Sequence, residues 1–561
     1  MLCGWLERLC CTLLLYITST QLTCQNRIFA KTYLFLPLSS TASGHINSSL
    51  ALSQRLVSNG WKVHYLSALV MKECIENTGA TFDDERDAAP ELCEGGLGYF
   101  AAYERLRQEK CPGSKAWEGR AHIENLFLLM KLPGTIEFLK RKRPSVVVYC
   151  PIWNHVAQIS SLVLGIPHVA IVTIAGFGGF TEILKGFLEP EGATFDDFKH
   201  LYDKSEINQA AIDSLCSEPY NLDRALFAEG VPLYYFGIEP PYGRTLGKHT
   251  LVTTIASLRD PLCDSLEEED KLYLENGGSK LHYVGPMMGQ PGLKRAATHK
   301  AAFTEEERKL LIAQSEKAHR RRSELHPKKE DLVSIVQKAK SLGRRIVLVS
   351  LGTVVTSDRA AFGWQGTGLG DSITGKELVQ SVINGVIDAL GPFFDQSILS
   401  SVKADQTDSP LLICATGQQP DCLDDIILPP NSIARATVPQ VDILRCMDST
   451  DLFVHHGGQN STMEGGSCGI PMVVCPTFSD QPVNAAKLVR LKVALSVARP
   501  TTSGPEAVEE YRRDVANVVS TIIDQEESFS VAAKKLKEEI AKGGGEVAAE
   551  AILLRAIKDG V

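Results

Sequence analysis

The stretch DLFVHHGGQNSTMEGGSCGIPMVVCPTFSDQPVNA, residues 451–485, decides the reading of this chain. Leu452, Phe453, Val454 and His455 form a buried-strand pattern that runs into His456-Gly457-Gly458-Gln459-Asn460-Ser461-Thr462. A short helix is predicted from there to Ser467, stopped by Gly469. A strand, a glycine turn and a helix start together make an anion site. Unused backbone N–H groups and the positive end of the helix dipole both point at the ligand. Gly457 and Gly458 let the backbone approach closely, and His456, Asn460 and Ser461 add side-chain donors. Glu464 comes one helical turn after Asn460, where a carboxylate can accept two hydrogen bonds from a ribose diol. Asp480-Gln481, after the next strand, offers an acceptor–donor pair suited to sugar hydroxyls.

Outward from this segment, short apolar runs alternate with longer periodic ones. Residues 32–38 read as a strand, 46–58 as a helix ended by Asn59-Gly60, and 62–66 as the next strand. Residues 145–149 and 168–172 flank a helix ending at Leu164-Gly165. Further buried strands are predicted at 345–351, 411–415, 452–455 and 472–475. Strands alternating with helices imply an α/β fold with parallel sheets. The alternation breaks at 289–342, a charged, helical-looking stretch after the Val284-Gly285-Pro286 turn. The division read from this is a leader at 1–25, an N-terminal α/β domain at 30–288, a linker or insertion at 289–342, and a C-terminal α/β domain with its last helices at 343–561. The hexapeptide Gly-Ala-Thr-Phe-Asp-Asp occurs at 79–84 and again at 192–197. Two copies without a period are not a repeat architecture.

Length and composition agree with two large domains. The chain has 561 residues, with 58 Lys+Arg against 67 Asp+Glu, a formal charge of −9. That balance gives no footprint for DNA or RNA, which calls for a basic surface. The 15 cysteines are scattered, with no CxxC pair and no zinc-type Cys/His spacing, so neither a disulfide framework nor a structural metal site is expected. The apolar run 9–17 after Arg8 fits a secretory signal peptide and is too short to span a bilayer. Glu7 and the polar Thr/Cys content fit a buried N-terminal segment instead. The first reading places the protein in the secretory pathway or endoplasmic reticulum lumen, the second in the cytoplasm. No later run reaches membrane-spanning length. Gly370 to Lys376 matches most of a phosphate-binding P-loop, but Glu377 stands where Ser or Thr must hold magnesium. A loop running into a helix capped by Thr374 is the reading adopted.

The ordered set resembles the donor-binding signature of the UDP-glycosyltransferase superfamily (glycosyltransferase family 1). The matching residues are Pro439-Gln440, His456-Gly457-Gly458-Gln459-Asn460-Ser461-Thr462-Met463-Glu464, Gly469-Ile470-Pro471 and Asp480-Gln481. The likeness extends to Val349-Ser350-Leu351-Gly352-Thr353, to Ser43-Gly44-His45 and to Leu164-Gly165-Ile166-Pro167. It implies a GT-B fold, two Rossmann-like α/β domains facing across a cleft. It also implies an inverting, metal-independent hexosyltransferase that uses a UDP-sugar as co-substrate, with no separate cofactor. Thr353, Gln440, His456, Gly457, Gly458, Asn460, Ser461, Glu464, Asp480 and Gln481 would hold the donor. His45 would be the general base toward a hydroxyl of a small apolar acceptor such as a lipid, sterol or phenol. Glucose is preferred over glucuronate, because Asp480-Gln481 suits hydroxyls and no cation is identifiable for a C6 carboxylate.

Two positions depart from the family pattern. Cys150 falls where an Asp usually supports the His, and a thiol is a poor partner for an imidazolium. Thr437 falls where many members carry a Trp stacked on uracil. Cys150 therefore keeps open the reading of a catalytically silent UDP-sugar binder, and a UDP-sugar epimerase or hydrolase of the same fold, which would not need an acceptor base, is a third reading. Asp83 and Asp84 are the alternative acids for His45.

Overall fold

The computed structural model describes residues 32–560 except 37–42, 69–70, 91–98, 152–153, 177, 180–187, 189–190, 225–226, 228–246, 262–263, 277–278, 297–330, 358–361, 369 and 392–408. The leader and most of the charged stretch at 289–342 lie outside the described residues. No described helix is long and apolar enough to cross a membrane.

Two parallel sheets organise the chain. The first contains β1 (Thr32–Leu36), β2 (Lys62–Ser67), β3 (Thr81–Asp84), β4 (Val146–Tyr149), β5 (His168–Val172), β6 (His249–Val252) and β7 (Lys280–Tyr283), in the spatial order 3-2-1-4-5-6-7. The second contains β8 (Ile346–Ser350), β9 (Leu411–Ala415), β10 (Ser432–Arg435), β11 (Leu452–His455), β12 (Met472–Val474) and β13 (Ala494–Ser496), in the order 10-9-8-11-12-13. Every strand pair is parallel. The central strands β4, β5, β8 and β11 are buried along their whole length. Helices cover both faces, so these strands are continuous apolar runs.

In each sheet the chain moves one way from a central strand, then returns to build the other half. That reversal opens a crevice at the carboxyl ends of two neighbouring strands, where α/β folds bind ligands. In the first sheet the two strands are β1 and β4, which lead to His45 and Cys150. In the second they are β8 and β11, which lead to Gly352-Thr353 and His456-Gly457-Gly458.

Three further helices pack outside the strand order, and the last of them joins the halves. Helix Leu332–Ser341, inside the stretch read as linker, buries Leu332, Val336 and Ala339 in the core of the second sheet. Helix Glu526–Ala541 packs on helix Gln459–Cys468. The last helix, Gly545–Asp559, crosses back to the first domain. Its Ala549, Ile552, Leu553 and Ala556 enter the core formed by Ile46, Leu50 and Val148. These four positions are one helical stripe, and about 25 cal/mol per Å² of buried apolar area holds it there. Glu550 on that helix accepts from Arg55 at 2.6 Å and from Asn59 at 2.7 Å. The P-loop-like sequence is a helix start. Thr374 and Glu377 form a capping box, and Lys376 reaches Asp421 at 2.7 Å.

Candidate active site

The donor segment folds as its residue types dictate. β11 ends at His455, and Gly457 takes φ +84°, where a Cβ would lie 2.9 Å from Val474 Cγ1. Gly458 caps helix Gln459–Cys468 without a side chain, and no acidic residue occupies the first helical turn. The positive end of the helix therefore carries no side-chain cap and no compensating carboxylate of its own. Gly469, at φ 74°, closes the helix in the left-handed conformation.

His456 lies between two glycines. A Cβ on Gly352 would come within 2.6 Å of its Cε1, and one on Gly458 within 2.4 Å of its Nε2. This packing joins the loop after β8 to the loop after β11, with Thr353 on the turn between. Burial pushes the His456 pKa down to about 4, so the ring is a neutral hydrogen-bonding group at neutral pH. His455 is fully buried, and its Nδ1 accepts the Gly457 N–H at 3.1 Å.

Gln440, at the start of helix Gln440–Cys446, donates to Glu464 Oε2 at 2.7 Å and to Ser461 Oγ at 3.2 Å. Arg295 meets the other carboxylate oxygen, Oε1, at 3.1 Å. Asn460 spans the cleft. Its amide donates to the Gly44 carbonyl at 2.8 Å, and its Oδ1 accepts from Ser48 Oγ at 3.0 Å. Asp480 accepts from Asn484 at 2.8 Å. The Gln481 Oε1 turns back to accept from Thr477 N at 2.8 Å and Thr477 Oγ1 at 2.7 Å. Thr437 is exposed on the loop after β10.

On the facing domain, His45 lies in the first turn of helix Ser43–Ser58. Its Nδ1 is 3.2 Å from Cys150 Sγ and 2.7 Å from Thr173 Oγ1. Cys150, just after β4, thus lies beside the imidazole, at the position where the resemblance would put an Asp. Thr173, just after β5, was not legible, because nothing in its sequence surroundings ties it to His45. The two alternative acids are committed elsewhere. Asp83 holds His64 at 2.9 Å and pairs with Lys142, and Asp84 pairs with Arg86. Asp83 is held below the usual carboxylate range by its partners His64 and Lys142, which outweigh its burial.

Burial raises the Asp480 pKa to about 6, and the nearby Asp260 adds to the shift. A folded-state pKa above the unfolded one adds stability below pH ~4, and that stability is lost as pH rises through about 6. Asp480→Asn is therefore expected to raise the melting temperature more at pH 7.5 than at pH 4.5. Equal shifts at both pH values, by calorimetry, would contradict the buried charge.

Known proteins resemble this chain in part of its sequence and in its fold. The family model described as UDP-glucoronosyl and UDP-glucosyl transferase matches residues 402–531, which include Gln440, His456 to Glu464 and Asp480-Gln481. The match supports a likeness of this segment to the UDP-glycosyltransferase superfamily. Among its curated relatives, NDP-glycosyltransferase YjiC of Bacillus subtilis is 31% identical over 146 residues, 26% of this chain and 34% of that protein. UDP-glucuronosyltransferase 3A1 of Mus musculus is 35% identical over 108 residues, 18% of this chain and 20% of that protein. The chain thus spans about a third or less of the length of these two relatives. Solved structures extend the likeness to both domains. The calicheamicin glycosyltransferase CalG4 superimposes with a TM-score of 0.55 at 16% identity, covering 94% of this chain and 98% of that one. The glycosyltransferase of kitacinnamycin gives a TM-score of 0.53 at 18% identity, covering 94% and 99%. At such identities the superfamily likeness concerns the fold, which is GT-B.

Proposed function

We propose that this protein is an inverting glycosyltransferase. It moves a hexose, glucose in this reading, from a UDP-sugar to a hydroxyl of a small apolar acceptor such as a lipid, sterol or phenol. The observation that carries the proposal is the meeting of the two crevices. Asn460, on the donor helix, hydrogen-bonds the Gly44 carbonyl next to His45. A donor held at that helix start lies against the imidazole.

In this mechanism the UDP diphosphate takes the open N-terminus of helix Gln459–Cys468, with Ser461, neutral His456 and the Gly457-Gly458 backbone around it. Glu464 accepts from the ribose diol, and Asp480 accepts from hexose hydroxyls. His45 receives the acceptor's proton on Nε2 while its Nδ1 is held by Thr173 and Cys150. The acceptor oxygen attacks C1 from the face opposite UDP, so the C1–O bond to UDP breaks as the new bond forms. Charge developing on UDP is stabilised by preorganised N–H groups, which are worth several kcal/mol in such sites. A neutral hexose fits better than a uronate, because Lys487, the cation acting on Asp480, is committed to an ion pair with Asp260.

Incubation with UDP-glucose and an acceptor panel, measuring UDP and glycoside together, tests the reading. Equal amounts of UDP and glycoside are expected. UDP alone would mean hydrolysis, a changed sugar epimerisation, and donor binding without turnover a silent binder, the reading that Cys150 beside His45 favours. Activity is expected to survive excess EDTA, because backbone N–H groups and a helix end stabilise the leaving diphosphate here. Loss on EDTA with rescue by manganese or magnesium would overturn that mode of diphosphate binding.

A further inference from the structure

The segment between the domains does more than connect them. Its described part, residues 286–296, follows the last strand of the first sheet and touches both halves. Its backbone and side chains bond alternately to the two sides. Gln290 N donates to Gln54 Oε1 at 2.9 Å, Gly292 N to Asp442 Oδ2 at 2.9 Å, and Lys294 N to Asn77 Oδ1 at 2.7 Å. Ala296 exchanges two bonds with the Asn47 side chain, at 2.7 and 3.0 Å. Asn47 lies on the helix that carries His45.

Arg295 sits where these bonds converge. Its guanidinium contacts Glu464 Oε1 at 3.1 Å, the Asn47 carbonyl at 3.5 Å, and the Met287 and Met288 carbonyls at 3.4 and 3.3 Å. The Glu464 side chain is only 6% exposed. A carboxylate offers about four lone-pair sites. Gln440 uses one on Oε2 and Arg295 one on Oε1. Among the described residues one site remains on each oxygen, which is the acceptor pattern a cis-diol needs.

We propose that Arg295 is a positioning residue for nucleotide recognition: with Gln440 it fixes Glu464 so that its two remaining sites face the 2′- and 3′-hydroxyls, making the site selective for ribonucleotide over 2′-deoxyribonucleotide sugar donors. This rests on the donor reading given above. A carboxylate held on one side alone could rotate to satisfy a single hydroxyl. Held on both oxygens, it presents two acceptors at fixed spacing, and a 2′-deoxyribose leaves one of them unfilled. Leaving a charged, buried acceptor unfilled is the expensive case. Because Arg295 comes from the interdomain segment and also touches the helix of His45, the same residue links ribose binding to that helix.

The test is calorimetric affinity for UDP and for 2′-deoxy-UDP, in the full chain and its Arg295→Ala and Arg295→Lys variants. The wild type is expected to prefer UDP by about tenfold or more. Arg295→Ala should lower UDP affinity about tenfold while lowering 2′-deoxy-UDP affinity much less, so that the preference collapses. Arg295→Lys keeps a donor near Oε1 and should recover part of the preference, and it serves as the test if the Ala variant melts early. A parallel loss for both nucleotides, with the preference intact in a folded variant, would overturn the proposal, since a merely structural arginine behaves that way. Wild-type protein that binds neither nucleotide would instead overturn the donor reading itself, and this proposal with it.

Discussion

Replacing His45 by Ala is expected to lower kcat by about 10²–10⁴-fold while UDP affinity stays within a few-fold of wild type. The asymmetry comes from the fold. His45 belongs to the crevice between β1 and β4, whereas the residues assigned to UDP lie in the crevice between β8 and β11. Removing the imidazole takes away proton transfer from the acceptor hydroxyl and leaves the helix start at Gly458 untouched. A single-turnover experiment with saturating UDP-glucose, alongside calorimetry with UDP, separates the two. A variant that loses UDP affinity in step with kcat would show that the ring acts in donor binding and not as the base.

The neighbours of His45 sharpen this. Cys150 Sγ lies 3.2 Å and Thr173 Oγ1 2.7 Å from its Nδ1, and both neighbours are neutral as thiol and hydroxyl. Cys150→Asp would put a carboxylate where it can accept from Nδ1–H and stabilise the imidazolium formed during transfer. The plateau of the pH–rate profile should rise, and its acid limb should move to higher pH. Cys150 is 5% exposed, so the new charge also carries a burial penalty, which a melting temperature would register. An unchanged profile in a stably folded variant would remove Cys150 from the proton path and leave Thr173 as the group that orients the ring.

Particular elements show what the sequence makes legible. Strands β1, β2, β4, β5, β8, β9, β11 and β12 match the expected runs to within one or two residues, and at β4, β5, β8 and β11 burial on both faces forces unbroken apolar stretches. The strands without such a signal are β3, β6, β7, β10 and β13. Four of these five are the sheet edges, where only one side pairs and polar residues are tolerated. The repeated hexapeptide makes the same point with identical residues. At 79–84 its last four residues are β3, paired with β2. At 192–197 its Thr194 caps a helix, accepting from Asp197 N while the Asp197 carboxylate accepts from Thr194 N. The residues downstream decide between the two structures, because Phe198 and Tyr202 continue a helical apolar stripe in the second copy alone. The residues read as a donor set stand out in the sequence because most of them are closely spaced and ordered, from His456 to Glu464 and at Asp480-Gln481. Arg295 was not, because one Arg in a charged stretch has no spacing that marks it, and its partner lies in another domain. The apolar stripe of Gly545–Asp559 was legible, but its destination on the first domain was not, since a stripe specifies burial and not a partner.

Glu464→Ala is expected to weaken UDP binding by about 2–3 kcal/mol, roughly 30- to 150-fold. Hydrogen bonds to a charged acceptor sit at the strong end of the range, and this carboxylate is desolvated already, with a 6% exposed side chain. The substitution removes the acceptor for the diol and also strands two protein donors. Gln440 loses its 2.7 Å partner and Arg295 its 3.1 Å partner, so some of the measured loss is reorganisation of the empty site. Two comparisons separate these parts. Glu464→Gln keeps the shape and one acceptor oxygen, and should fall between wild type and Ala. Gln440→Ala combined with Glu464→Ala should cost less than the sum of the single changes, because both act through one carboxylate. Strict additivity would mean that Gln440 contacts the nucleotide independently. A loss below about threefold for Glu464→Ala, with the melting temperature near wild type, would place the ribose elsewhere in the crevice.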